Sequence, residues 1–326
     1  MILGYILFGL VFILAFPDPS SEQVKHPDAL LELTRQKAQE TDSLLKQIEE
    51  DNELAAKYMF LLFSNPPERS LYDPGRYMVD EKGVYGDSSD KRETSVWFKG
   101  KPGPLPEEVV KQVQITESIE EQYKKLKKRH ASIKWVYMIT AEGVLRVYPR
   151  DAKGKYSGEA DPREMPAYVL NGQEKNPQRQ TIWTEPYKED PEGKWMVTCA
   201  TPVYQKSKFL GVQAVDIILD KLKDKVLKVK GGKNSIVLLL DKKGNILLHT
   251  DPPKGGQKSK EAKKQEDTFN YTNLTNLPGN PLQEIMQEMS EGREGVVRFN
   301  LNDQVKYFAF VPIKTTGWIY GIMSKI

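Results

Sequence analysis

The chain has a single cysteine, Cys199, and only three histidines, at positions 26, 130 and 249. One cysteine excludes an intrachain disulfide framework and any cysteine-rich metal site, and no histidine stands at metal-ligand spacing. Cys199 lies in "WMVTCATPVY", whose apolar–polar alternation suits a strand, so it reads as a small buried hydrophobe. A reactive thiol would need a base, and no histidine is near it in sequence. An excess of one charge is missing too: 48 basic and 45 acidic residues leave a net charge of +3, which gives no footprint for nucleic acid. There is no Gly-rich phosphate loop, nucleophile elbow or His-Glu-x-x-His motif, and no acidic pair stands isolated on an apolar scaffold. Neither catalysis nor a cofactor is expected.

A hydrophobic run of the about 20 residues that a membrane span wants is also absent. The first sixteen residues, "MILGYILFGLVFILAF", are uncharged but stop at Pro17. Their length fits the h-region of a signal peptide, although the basic n-region and an A-x-A cleavage site are missing. A membrane anchor whose true start lies upstream reads the same way. Residues 1–17 are therefore expected to be a signal peptide or membrane anchor. The remainder is expected to be extracytoplasmic, either anchored or exported.

The chain as a whole is hydrophilic, with a mean hydropathy of −0.57. Aromatic residues make up 10% of the chain, core material that a disordered tail would lack. From His26, Leu30, Leu31, Leu33, Ala38, Leu44, Leu45, Ile48, Leu54, Ala55 and Tyr58 recur mostly at three- and four-residue spacings. This predicts one long amphipathic helix within 24–65, ending near Asn65-Pro66-Pro67, with the pattern weakest between Leu33 and Leu44. Residues 66–106 read as loop, because Gly and Pro are scattered through them. "LPEEVVKQVQITESIEEQYKKLKKRH" reads as one or two helices, and the acidic neighbours of "KKLKKRH" make that run a solvated face.

Two strands around a Glu-Gly turn follow in "IKWVYMITAEGVLRVYP". The strands "KWMVTCATPVY" and "FLGVQAVDII" come next, then a helix over Asp220–Lys230, broken at Gly231-Gly232. The strand–turn–strand unit returns in "NSIVLLLDKKGNILLHT". After a polar insertion come a short helix at "PLQEIMQEMS" and the strands "EGVVRFN", "QVKYFAFVPI" and "GWIYGIMSK". Short Gly-bearing turns predict antiparallel pairing in both halves. The repeat predicts an α/β chain, more narrowly α+β, in which two mixed modules follow one helix.

In this order, "IKWVYMITAEGVLRVYP", "DPREMPAY", "WTEPY", "MVTCATPVY", "FLGVQAVDIILDKL", "VLLLDKKGNILLHTDP" and "YFAFVPIKTTGWIYGI" resemble the double Cache sensor domain. That domain is the extracytoplasmic input region of many chemoreceptors and sensor histidine kinases. The resemblance implies a long N-terminal helix beside two tandem PAS-like modules, each with a central antiparallel sheet. A membrane-distal module is expected at 70–229 and a membrane-proximal one at 233–326. It also implies that a small molecule binds the distal module, and that binding is relayed to a transmembrane output. A homodimer through the long helix belongs to the same expectation. The alternative is a stand-alone exported binding or interaction module that acts through a separate partner.

Members that bind amino acids resemble one another in an Arg-x-Trp-Tyr run, a Tyr-x-Asp after a proline, and an Asp in the strand before the closing helix. Carried onto this chain, Tyr168 matches the first Tyr, Tyr187 the second, and Glu189 and Asp216 the two acids. Met165 stands at the Arg position and Ala167 at the Trp position. Arg163 lies two residues earlier, and Tyr148 completes the expected ligand-binding set. Without the guanidinium the bidentate carboxylate grip is lost, and without the indole the pocket widens. The acids and tyrosines that remain favour a cationic or neutral small ligand over a free amino acid held in the usual way. His249 and Asp251 read as an ordinary strand end.

Overall fold

The computed structural model describes residues 26–66, 77–79, 84–87, 93–100, 106–150, 160–188, 195–229, 235–250, 273–276, 282–301 and 304–324. The apolar N-terminal run, Gly231-Gly232, the polar insertion and Glu189 lie outside them.

One helix, α1 (Pro27–Ser64), opens the structure over 38 residues. His26 caps it by accepting the Asp28 N–H on Nδ1, and Pro27 occupies the first helical turn, where its missing N–H costs nothing. The buried stripe runs through Leu30, Thr34, Ala38, Thr41, Leu45, Ile48, Asn52, Ala55, Met59 and Leu62. From Thr34 onward its spacing alternates four and three, the period of a seam that faces a partner along its whole length. The weak stretch of the sequence pattern is thus occupied by threonines. Their hydroxyls donate to carbonyls one turn back, Thr34 to Leu30 O at 2.7 Å and Thr41 to Lys37 O at 2.9 Å, so neither is buried unsatisfied.

Two antiparallel sheets flank this helix. Among the described residues the first has nine strands: β1 (Tyr77–Val79), β2 (Val84–Asp87), β3 (Ser95–Lys99), β4 (Ile133–Thr140), β5 (Leu145–Tyr148), β6 (Ile182–Trp183), β7 (Tyr187–Lys188), β8 (Trp195–Gln205) and β9 (Lys208–Ile218). Their order is β1-β2-β3-β5-β4-β9-β8-β6, with β7 also on β8. The second sheet contains β10 (Ile236–Leu240), β11 (Ile246–His249), β12 (Gly295–Leu301), β13 (Gln304–Pro312) and β14 (Ile319–Ser324), in the order β11-β10-β14-β13-β12. Both repeated strand–turn–strand units form hairpins, with Gly143 at φ +90 and Gly244 at φ +78 in the turns, where a side chain would be strained.

Three short strands, β1 to β3, occupy the region read as loop. They extend the first sheet beyond β5, and their brevity and neighbouring Gly and Pro hid them. α2 (Glu107–Thr116) and α3 (Glu120–Arg129), joined by a 3₁₀ turn, form the two-helix option. α4 (Pro166–Leu170) is a single turn, and α5 (Leu219–Val226) stops four residues before the expected end. α6 (Ile285–Ser290) lies ahead of β12.

The first sheet has two covered faces. Val136, Met138, Val197, Cys199, Val215 and Ile217 point to α1 and α3, within a cluster that also takes in Val237, Tyr320 and Ile322 of the second sheet. Burying such aliphatic side chains contributes about 1.5–3 kcal/mol each, so packing along α1 outweighs its intrinsic helix propensity. Asp51 ties α1 to the end of α3, accepting from His130 Nε2 at 2.6 Å and pairing with Arg129. The opposite face carries Tyr137, Ile139, Leu145, Val147, Ala200, Val212 and Ala214, and α4 lies over it. Gly211 permits the close approach of β9 to β4 within the sheet: a Cβ there would stand 2.2 Å from Ile139 O.

Candidate ligand-binding site

Strand alternation sets the floor of the site. On β4, Trp135 and Tyr137 point to the face under α4; on β9, Ala214 and Asp216 do the same. Asp216 is paired in register with Trp135 on one side and Thr198 on the other, in the middle of the sheet. It is only 3% exposed. A carboxylate so buried must be hydrogen-bonded. Its Oδ1 accepts from Tyr137 OH at 3.0 Å and from Thr198 Oγ1 at 2.7 Å. Because the Thr198 proton is committed to the carboxylate, Tyr187 OH donates to Thr198 Oγ1 at 2.7 Å. Tyr187 is thus joined to Asp216 through one hydroxyl.

The segment from Asp161 forms the cover. Asp161 caps a 3₁₀ turn by accepting the Arg163 N–H at 2.9 Å, and Pro166 starts α4. Met165, Ala167 and Tyr168 all pack into the cluster on this face, with Ala167 at 2% exposure. Tyr168 meets Phe209 edge to face at 5.5 Å and directs its hydroxyl to Ala141 O at 3.4 Å. Burial pushes the Tyr168 phenol up. Arg163 does not reach the floor; its Nη2 donates to Asp161 Oδ2 at 2.6 Å beside Gly143. Hydrogen bonding to Arg163 holds the Asp161 carboxyl below its usual range, and the same bond raises the Arg163 guanidinium.

The structure therefore brings Met165, Ala167, Tyr168, Tyr187 and Asp216 to one face of the first sheet, with Arg163 at its margin. Tyr148 stands apart: it pairs with Val136 on β4 and packs with the cluster on the helical face. Glu189 lies outside the described residues. Tyr137 and Thr198 contact the central carboxylate, and sequence reasoning missed both. The usable signal was their place on the strands flanking β9, within two residues of Asp216's register partners. Chemically, the arrangement is an aromatic face around a buried, hydrogen-bonded carboxyl group, a chemistry that can hold an ammonium group.

A second buried charge lies on the other face. Arg146 is fully buried and donates to Thr116 Oγ1 at 3.0 Å, Val113 O at 3.0 Å and Glu117 Oε1 at 3.3 Å. Tyr77 OH also donates to Glu117. This network binds α2 and its 3₁₀ turn to β1 and β5.

A family model described as "Cache domain" matches residues 28–325. Among curated proteins, the methyl-accepting chemotaxis protein McpC of Bacillus subtilis (strain 168) is 29% identical over 126 residues, which are 39% of this chain and 18% of the relative. The match thus spans under a fifth of that relative's length. Among solved structures, the ligand-binding domain of the Pseudomonas aeruginosa PAO1 amino acid chemoreceptor PctB, in complex with L-Arg, superposes with a TM-score of 0.56. It is 16% identical and covers 92% of this chain and 94% of that one. The ligand-binding domain of PctC from the same organism, in complex with GABA, gives a TM-score of 0.54 at 18% identity, covering 91% and 98%. At these identities the likeness is one of fold. Among the described residues, no helix is long and apolar enough to cross a membrane.

Proposed function

The chain belongs to the Cache-domain family, and on that premise we propose that it is an extracytoplasmic sensing region that binds a small ligand between α4 and the first sheet. Residues 70–229 form the membrane-distal, ligand-binding module and 233–326 the membrane-proximal one, with the helix of 24–65 shared. Binding is relayed along α1 and the second sheet to a transmembrane output of the chemoreceptor or histidine kinase type. The N-terminal apolar run places the module outside the cytoplasm, as a signal peptide or anchor. Two copies pair along α1, where Leu54 and Leu61, seven residues apart, stay 60% and 51% exposed.

The observation that carries this reading is Asp216, a buried carboxylate at the centre of an aromatic-walled face, under a cover that is one helical turn thick. The ligand is a cationic or neutral small molecule, with an amine as the favoured class. L-Arg and GABA, bound by the two neighbouring domains, both carry an amine. Met165 stands where an Arg would grip a carboxylate and Ala167 where a Trp would narrow the pocket, and Arg163 is engaged by Asp161. Calorimetry of the purified protein against simple amines, α-amino acids and small carboxylates tests this, with an amine as the expected binder. Tight binding of an ordinary α-amino acid, undiminished in Asp216→Ala, would sink both the ligand class and the anchor.

A further inference from the structure

Where the first sheet meets the second half of α1, a cleft of about 570 Å³ opens beside the strand edge of β8. That volume lies within the range of small-ligand pockets. It is on the helical side of the sheet, away from Asp216, and also touches Thr315 in the turn between β13 and β14. Its charges are laid out by the helix. Glu49 and Glu53 stand at one end and Lys57 at the other, with rises of about 12 and 6 Å to Lys57. Arg179 lines the cleft as well.

Glu53 and Lys57 are four residues apart in the order that favours a helical ion pair, yet they do not form one. Glu53 turns away and accepts from Thr181 Oγ1 at 2.8 Å. Among the described residues, neither Glu53, Lys57 nor Arg179 is in an ion pair. Arg179 is held in place instead. Its φ of +55 is a conformation that non-glycine residues seldom adopt, its Nη1 donates to Lys206 O at 2.7 Å, and its guanidinium lies 3.9 Å over the Tyr204 ring.

The strand edge is open at the same place. β6 pairs with β8 only at Cys199 and Ala200, so among the described residues Thr201 to Tyr204 are paired with β9 alone. Pro202 has no N–H to donate, so this edge offers carbonyl oxygens rather than a full ladder to an extended peptide. Three extended residues span about 10 Å, which lies between the two helical rises.

We propose that this cleft is a second ligand site, for a short zwitterionic peptide of two or three residues. Its ammonium end lies at Glu53 and its carboxylate end at Lys57 and Arg179. This site is separate from the amine site on the opposite face. Calorimetry of the full chain uses trialanine, N-acetyl-trialanine and trialanine amide as probes. Trialanine is expected to bind, and each blocked form to bind at least about tenfold more weakly. Glu53→Gln should weaken trialanine about tenfold while leaving N-acetyl-trialanine unchanged, and Lys57→Met should do the same relative to the amide. Both side chains are on the surface of the cleft. Three results would overturn the proposal: no binding of trialanine at millimolar concentration, equal binding of free and blocked peptides, or binding that survives Glu53→Gln but is lost in Asp216→Asn.

Discussion

Asp161 and Arg163, two residues apart, clasp the start of the cover, and their charges are coupled. The Asp161 carboxyl, with an ordinary value of 3.8, is lowered chiefly by the hydrogen bond from Arg163. A depressed carboxyl contributes its stability above the ordinary value and loses it as pH falls through the folded one, so the clasp persists at neutral pH and opens only below about 3.8. An NMR titration of the Asp161 carboxyl should find its midpoint below 3.8, and Arg163→Ala should move it upward. At the floor, Asp216→Ala removes the acceptor of two hydroxyls, from Tyr137 and Thr198. It should cost about 1–3 kcal/mol in denaturant unfolding, and Asp216→Asn less, since the amide oxygen still accepts. Residues that resemble a motif were legible here, as Tyr168, Tyr187 and Asp216 were. Thr198 and Tyr137 were not, because a polar side chain on a strand looks alike whether it faces water or a buried carboxylate. Arg146 was hidden for the same reason: in "VLRVYP" it alternates like a surface residue, and only α2, arriving from earlier in the chain, buries it.

At the scale of elements, period and turn chemistry carried most of the reading. The long helix, the two hairpins with their glycine turns and the closing strands were all visible because each spans enough residues to show its repeat. β1, β2 and β3 are three to five residues long and lie among Gly and Pro, so no period accumulates. α1 also hides its most constrained position in plain view. Asn52 is fully buried, and its Nδ2 stands 3.0–3.3 Å from Cys199 O, Thr201 Oγ1 and Gln213 O, joining the helix to β8 and β9 at once. Asn52→Ala should cost about 1–3 kcal/mol. Asn52→Asp, nearly the same shape, sets a buried carboxylate against those oxygens and should cost about 3 kcal/mol or more. Urea unfolding of the two variants checks the order, and equal stability of the two would remove the role assigned to the amide.

Over the whole molecule, contacts beside α1 join the two sheets. Trp183 of β6 meets Trp318, next to β14, edge to face at 5.8 Å, and Glu49 of α1 accepts the Trp183 indole N–H at 2.9 Å. Tyr320 OH donates to Val226 O at 2.8 Å. Trp318→Ala should cost about 3–5 kcal/mol, and scanning calorimetry should show the single transition divide into two as the halves unfold separately. The division of the seam along α1 also bears on the order of synthesis. Asp42, in the first half of the helix, accepts the Thr315 N–H, and Arg35 pairs with Glu294, whereas Asn52 in the second half grips β8 and β9. The first half of the helix therefore waits for partners 259 to 273 residues later in the chain before its apolar stripe is covered. Until then Leu30, Ala38 and Leu45 remain open to association as the chain grows.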